Sequence, residues 1–216
     1  MKKTKIDWCD CTVNPVVGCP RGCPYCYARR MNARFGWIGD FSKPQFFPER
    51  LKAFECKTPK SIFVNSMSDW VLWDYDDFRA VMDAIDANPQ HNYIFLTKSD
   101  AGYFDSANCY SGLTVTRQED FYYHGEMKHN VFGFLSIEPI LEQITLSGRL
   151  DNLKAVIIGA ETGNRKGKVI PQKKWINAIM READERGLAV FMKESLRGLM
   201  CEDFRQDRLP WEVDNG

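Results

Sequence analysis

The sequence predicts an α/β fold, a partial (βα) TIM-like barrel of about six to seven mostly parallel strands, and three observations carry that expectation. Short apolar runs of four to six residues recur along the chain, and several are separated by helical or loop crossovers rather than hairpin turns. That alternation is the mark of βα units on a parallel sheet. Nearly every run ends in polar residues, the pattern expected where a shared site lies at the C-terminal strand ends. The chain has 216 residues, fewer than the roughly 250 typical of a full eightfold barrel, so an incomplete barrel fits better. A doubly wound sheet shares the alternation, but no Gly-rich phosphate loop follows the first strand; a cysteine loop stands there instead.

Taken in order, residues 6–18 read as an extended lead-in, with Thr12–Val17 as a first strand that Pro15 makes irregular. A helix follows Cys26 and runs to about Phe35, where Gly36 ends it. Residues 36–60 form a covering loop with a short helix around Pro48–Phe54. Ser61–Asn65 is a strand. Tyr75–Ala87 is an amphipathic helix with Phe78, Val81, Met82 and Ile85 on one face. Tyr93–Leu96 is the next strand, Ala101–Ala107 at most a short helix, and Ser111–Val115, Val131–Ser136 and Leu153–Ile158 are further strands. Lys173–Arg186 is a helix stopped by Gly187, and Ala189–Met192 is the last strand. No linker, low-complexity run or repeat period divides the chain, so residues 1–216 read as a single domain with a C-terminal extension over about 196–216.

Lys plus Arg equals Asp plus Glu at 29 each, with a pI near 6.8. Nucleic acid is therefore not indicated as a partner by charge, although a local basic patch would escape this test. The apolar runs are far shorter than the roughly 20 residues that span a bilayer, so no membrane association is expected. No apolar segment follows the basic start, and eight cysteines without an export signal suit a reducing, cytoplasmic setting.

The chemistry-bearing stretch is Cys19-Pro-Arg-Gly-Cys23-Pro-Tyr-Cys26. On a helix the three cysteines would share a face and read as core. Pro20 and Pro24 push the preceding cysteines out of the α region, and Gly22 suits a positive φ, so a tight loop is expected. Three thiolates on one loop suit a [4Fe-4S] cluster, which normally takes four cysteines, with one iron left without a protein ligand. Zinc is the rival and would need a fourth ligand, for which Cys9 or Cys11 is nearer in sequence than His91, His124 or His129.

The C-x3-C-x2-C spacing, with Tyr25 before the last cysteine, resembles the radical S-adenosylmethionine superfamily. More of the chain is similar to a phage-associated, uncharacterised family of such proteins named for its three-cysteine motif. The matching stretches are 14–19, 26–28, 63–69, 88–91, 96–98, 136–141, 156–161 and 191–193. Cys9 and Cys11 depart from that family's pattern, as does Ala160, where the family usually has glycine.

The resemblance implies a radical S-adenosylmethionine enzyme acting on an unknown substrate. A [4Fe-4S] cluster on Cys19, Cys23 and Cys26 would chelate S-adenosylmethionine and cleave it reductively to methionine and a 5′-deoxyadenosyl radical. A flavodoxin- or ferredoxin-like reductant would be a partner. From position, Tyr25, Ser66, Ser68 and Asp69 are expected at the cofactor, the last three toward its amino group. Lys98 is expected at its carboxylate. Thr114, Thr116, Ser136 and Glu138 are expected at its ribose, and the backbone at Gly159 at its adenine. Glu161, Arg165 and Lys193 are left for substrate or proton transfer. The alternatives are a non-catalytic iron–sulfur or zinc module serving a partner protein, and a nucleic-acid modification or repair enzyme of the same chemistry.

Overall fold

The computed structural model describes residues 4–99, 104, 106–120, 133–146 and 152–213. Nine strands are described: β1 (Cys11–Thr12), β2 (Val16–Val17), β3 (Gln45–Phe46), β4 (Ser61–Phe63), β5 (Asn92–Thr97), β6 (Cys109–Thr114), β7 (Phe134–Ile137), β8 (Ala155–Ile158) and β9 (Ala189–Met192). Seven hydrogen-bond in the order β1-β4-β5-β6-β7-β8-β9, and the pairs β1–β4, β4–β5, β6–β7, β7–β8 and β8–β9 are parallel. Each strand is added beside its predecessor on the same side, which is the topology of a partial (βα) barrel. The fold is α/β, as expected, with seven strands in the main sheet.

The described residues fall into two compact units, one of residues 4–97, 106–110 and 211–213, the other of 98–99, 104, 111–120, 133–146 and 152–210.

In the first unit, the single strand expected over 12–17 is two. β1 pairs with β4, whereas β2 turns away to pair antiparallel with β3. Pro15 lies between them and has no amide proton to continue a ladder. Helix α1 (Tyr27–Phe35) ends where Gly36 takes the left-handed conformation at φ 64° and donates to Asn32 O. A 3₁₀ stretch over Pro48–Glu55 fills the expected covering loop. Helix α2 (Tyr75–Asp86) buries Val81 and Ile85, while Phe78 stacks on Trp70 at 5.7 Å. Trp211 is fully buried: its indole donates to Trp8 O, and its carbonyl accepts from Ser61 Oγ at 2.6 Å and Asn92 Nδ2 at 2.9 Å. The C-terminal segment thus fastens the starts of β4 and β5, and strand ends opposite to these remain for the site.

In the second unit, β7 and β8 are wholly buried, as interior parallel strands are. Helix α3 (Lys173–Glu185) lays Ile176, Ile179 and Ala183 on a core that includes Leu135, Ile137, Val156 and Ile158. Residues 205–207 run along β9, with Met192 N donating to Arg205 O and Asp207 N to Val190 O, so this edge is covered. The helix expected over 101–107 and the start of the strand expected at 131 lie outside the described residues.

Candidate functional site: the cysteine loop and the strand ends

Cys19, Cys23 and Cys26 lie on a loop, not on a helix, since α1 begins at Tyr27. The loop is entered at Gly18, whose φ of 118° and close approach to Pro44 Cα leave no room for a side chain: a Cβ there would stand 2.9 Å away. Cys19 N donates to Phe41 O at 2.7 Å, and Arg29 closes on Cys19 O at 2.9 Å. Cys26 N turns back on Cys23 O at 3.1 Å. Cys26 also caps α1, its Sγ accepting from Arg29 N at 3.3 Å. Burial pushes the Cys19 thiol up, against a lowering backbone hydrogen bond at Arg21.

All three cysteines are free and partly exposed. Three unpaired thiols on one reachable loop, with one at a helix N-terminus, are the right donor chemistry for an iron–sulfur cluster. Among the described residues, however, no three His, Cys, Asp or Glu side chains form a group that could hold a metal ion. The fit therefore lies in the donor set and its loop, not in an assembled ligand geometry. Cys11 is buried, with its thiol pushed up to about 11 first by burial and then by Asp10; Cys9 donates weakly to Ile6 O.

Five hydrogen bonds stitch the turn after β4 to this loop and to its flanking residues Asn14, Gly18 and Tyr27. Met67 O accepts from Gly18 N at 3.1 Å, and Ser66 O accepts from Tyr27 Oη at 2.6 Å. Asn14 Oδ1 accepts from both Ser66 Oγ and Met67 N at 3.0 Å. Asp69, buried, accepts from Arg21 Nε at 2.6 Å through one oxygen and from Thr97 Oγ1 at 2.6 Å through the other. Ser68 Oγ accepts from the Trp73 indole at 2.9 Å. So Ser66, Ser68 and Asp69 do gather beside the cysteine loop. Their side chains also hold this turn in place, a role the sequence did not disclose. Tyr25 lies within the loop, half-buried.

In the second unit, the ends of β7, β8 and β9 bring Glu138, Gly159 and Lys193 together. Lys193 Nζ donates to Glu138 Oε1 at 2.5 Å. A Cβ on Gly159 would lie 3.0 Å from Lys193 Cδ and 3.2 Å from Glu138 Cγ, so this ion pair sits directly over the glycine. Glu161 is buried and held in a fork by Arg165, with Nε to Oε1 at 2.6 Å and Nη2 to Oε2 at 2.8 Å. Thr114 and Ser136 are register partners across β6 and β7, half-buried and buried respectively.

Thr116 is turned to Asp120, which accepts from Thr116 N at 2.8 Å, Thr116 Oγ1 at 2.7 Å and Arg117 N at 3.1 Å. Burial would raise the Asp120 carboxyl, but these bonds and the charge of Lys98 outweigh it and hold it below the usual range. Lys98 thus stands near a carboxylate. Arg21, Asn14, Thr97 and Asp120 were not anticipated as site residues. Arg21 alone carried a signal, a cation set between two cysteines.

Residues 3–201 match the family described as "Protein of unknown function (DUF5131)". The chain belongs to this family. No curated protein and no solved structure matches it. The DUF5131 region takes in the whole cysteine loop and every strand end described above. It stops short of Trp211, the residue that fastens β4 and β5 from the C-terminal side.

Proposed function

We propose that this DUF5131 protein is a radical S-adenosylmethionine enzyme acting on a substrate of unknown class. The observation that carries the reading is the three-thiol loop bound to the turn after β4 through Arg21–Asp69, Tyr27–Ser66 and Gly18–Met67. Such a loop beside polar strand ends is what a cluster and a polar cofactor, held next to each other, require.

Cys19, Cys23 and Cys26 would hold a [4Fe-4S] cluster, which when bound supplies the electron for reductive cleavage of S-adenosylmethionine. Ser66, Ser68 and the Asp69 carboxylate present acceptors for an ammonium group next to that loop. Thr114, Thr116, Ser136 and Glu138 supply hydroxyl and carboxylate partners for ribose. The backbone at Gly159, which the Lys193–Glu138 pair overlies, would meet the adenine at the edge of that pair. Lys193 Nζ donates to Glu138 Oε1, and Glu161 is fixed by Arg165, so both pairs are suited to orient a polar substrate. A flavodoxin- or ferredoxin-like reductant and a cytoplasmic setting belong to the same proposal. Among the described residues, no helix is long and apolar enough to cross a membrane.

The test is anaerobic reconstitution with iron and sulfide, followed by iron analysis and electron paramagnetic resonance of the reduced protein. About four irons per chain are expected, lost on Cys19→Ala, Cys23→Ala or Cys26→Ala, with a spectrum that changes when S-adenosylmethionine is added. Stoichiometric zinc without iron would replace this reading with a structural metal module.

A further inference from the structure

All the large apolar side chains exposed among the described residues, Ile170 excepted, fall in two short stretches of the first unit. The first is α1 and the turn after it. Tyr27, Met31 and Phe35 recur at i, i+4 and i+8 and so form one stripe, continued by Trp37, which stacks on Phe35 at 5.3 Å. Phe35 is 55 % exposed. Arg30 and Arg34 are exposed beside the stripe, and α1 contains no acidic residue. Among the described residues neither arginine forms an ion pair; Arg34 lies over the Phe35 ring at 5.2 Å.

The second stretch is the entrance to α2. Leu72 and Tyr75 are exposed, Tyr75 by 73 %, and they are interleaved with Asp74, Asp76 and Asp77. The positive end of a helix explains acids in its first turn. It does not explain two large apolar side chains in water beside them. The three carboxylates also crowd one another: burial, Asp74 and Asp76 together raise the Asp77 carboxyl. The two stretches are joined by short links, since Tyr27 Oη bonds Ser66 O and the Trp73 indole bonds Ser68 Oγ.

One face is thus apolar and basic, the other apolar and acidic, on a chain whose charges balance at 29 of each sign. Tyr, Trp, Phe, Met and Arg are the residues that protein interfaces favour. A twofold interface needs a surface complementary to itself, in which each patch meets the other patch of the partner copy.

We infer that a second copy of this chain covers these faces, the Arg30/Arg34 face of α1 on one copy meeting the Asp74/Asp76/Asp77 face of α2 on the other, to form a symmetric dimer. The apolar residues supply the contact area and the charges set the pairing. This inference does not depend on the proposed chemistry.

Analytical ultracentrifugation of the full chain tests it. Wild type should sediment with twice the 25.0 kDa chain mass at micromolar concentration, and high salt should weaken the association. Arg30→Glu with Arg34→Glu, and separately Asp74→Lys with Asp76→Lys, should each give a monomer with an unchanged circular dichroism spectrum. Mixing the two charge-swapped proteins should restore the dimer, because each then carries the sign the other needs. That rescue distinguishes lost pairing from lost folding. A wild-type monomer would overturn the inference. So would a dimer indifferent to both swaps, or a monomeric chain whose α1 face is taken by single-stranded oligonucleotide or by an acidic protein.

Discussion

Arg21 Nε donates to Asp69 Oδ2 at 2.6 Å, tying the middle of the cysteine loop to the turn after β4. The Asp69 side chain is only 7 % exposed and its other oxygen accepts from Thr97, so the carboxylate is the hub of this region. Arg21→Ala and Asp69→Ala should each lower stability by about 2 kcal/mol, below the value for a fully buried pair because Arg21 is 24 % exposed. The double variant should cost clearly less than the sum of the two. Urea unfolding of the three variants measures this; simple additivity would show that the two residues act separately.

Cys11 is expected to stay out of any metal chemistry. Cys11 is buried, its thiol is pushed up to about 11 by that burial, and it lies outside the three-cysteine loop that would hold the cluster. Any stability it contributes is present below the ordinary thiol range and is lost as the pH rises through about 11. Iodoacetamide at pH 8 should leave Cys11 unmodified in the folded protein, and a Cys9→Ser, Cys11→Ala variant should retain its iron. Loss of iron from that variant would make these residues ligands.

Asp120 should leave a mark on acid stability. Its carboxyl is held below the usual range in the folded chain, so its contribution is fully present above the unfolded value of about 3.9 and is lost as the pH falls through the lowered folded value. Asp120→Asn should cost about 1–2 kcal/mol at pH 7. The gap to wild type should close as the pH is lowered toward 3, and chemical denaturation at several pH values checks this. A gap constant across that range would place the effect elsewhere.

Gly112 faces Phe134 in the β6–β7 register, and a Cβ there would lie 2.3 Å from Phe134 Cζ. Gly112→Ala should cost about 2–3 kcal/mol through overpacking. Adding Phe134→Leu should return part of that loss, because the smaller side chain vacates the space. Thermal unfolding that shows no rescue would assign the cost to the backbone.

The elements that local chemistry dictates were readable in the sequence. Gly36 stops α1 where the sequence placed its end, Gly22 takes the positive φ expected of it, and the apolar spacing of Val81 and Ile85 places α2. Pro15 was read correctly as a disturbance, but its effect was to split one strand into two with different partners, which depends on where β3 lies. Trp211 was hidden in what read as an extension, because its three hydrogen bonds reach residues 119 to 203 positions away. The same holds for the site. The cysteine spacing is local and shows itself, whereas Arg21, Asn14 and Thr97 acquire their roles only from Asp69 and Ser66, which the fold brings to them.

The central claim is that the cysteine loop and the strand ends together cleave S-adenosylmethionine. The direct measurement is anaerobic incubation of reconstituted protein with dithionite and S-adenosylmethionine, with 5′-deoxyadenosine quantified by chromatography. The account predicts slow formation of 5′-deoxyadenosine without added substrate, abolished by Cys23→Ala. A protein with its full complement of iron that forms none, and that shows no calorimetric binding of S-adenosylmethionine, would contradict it.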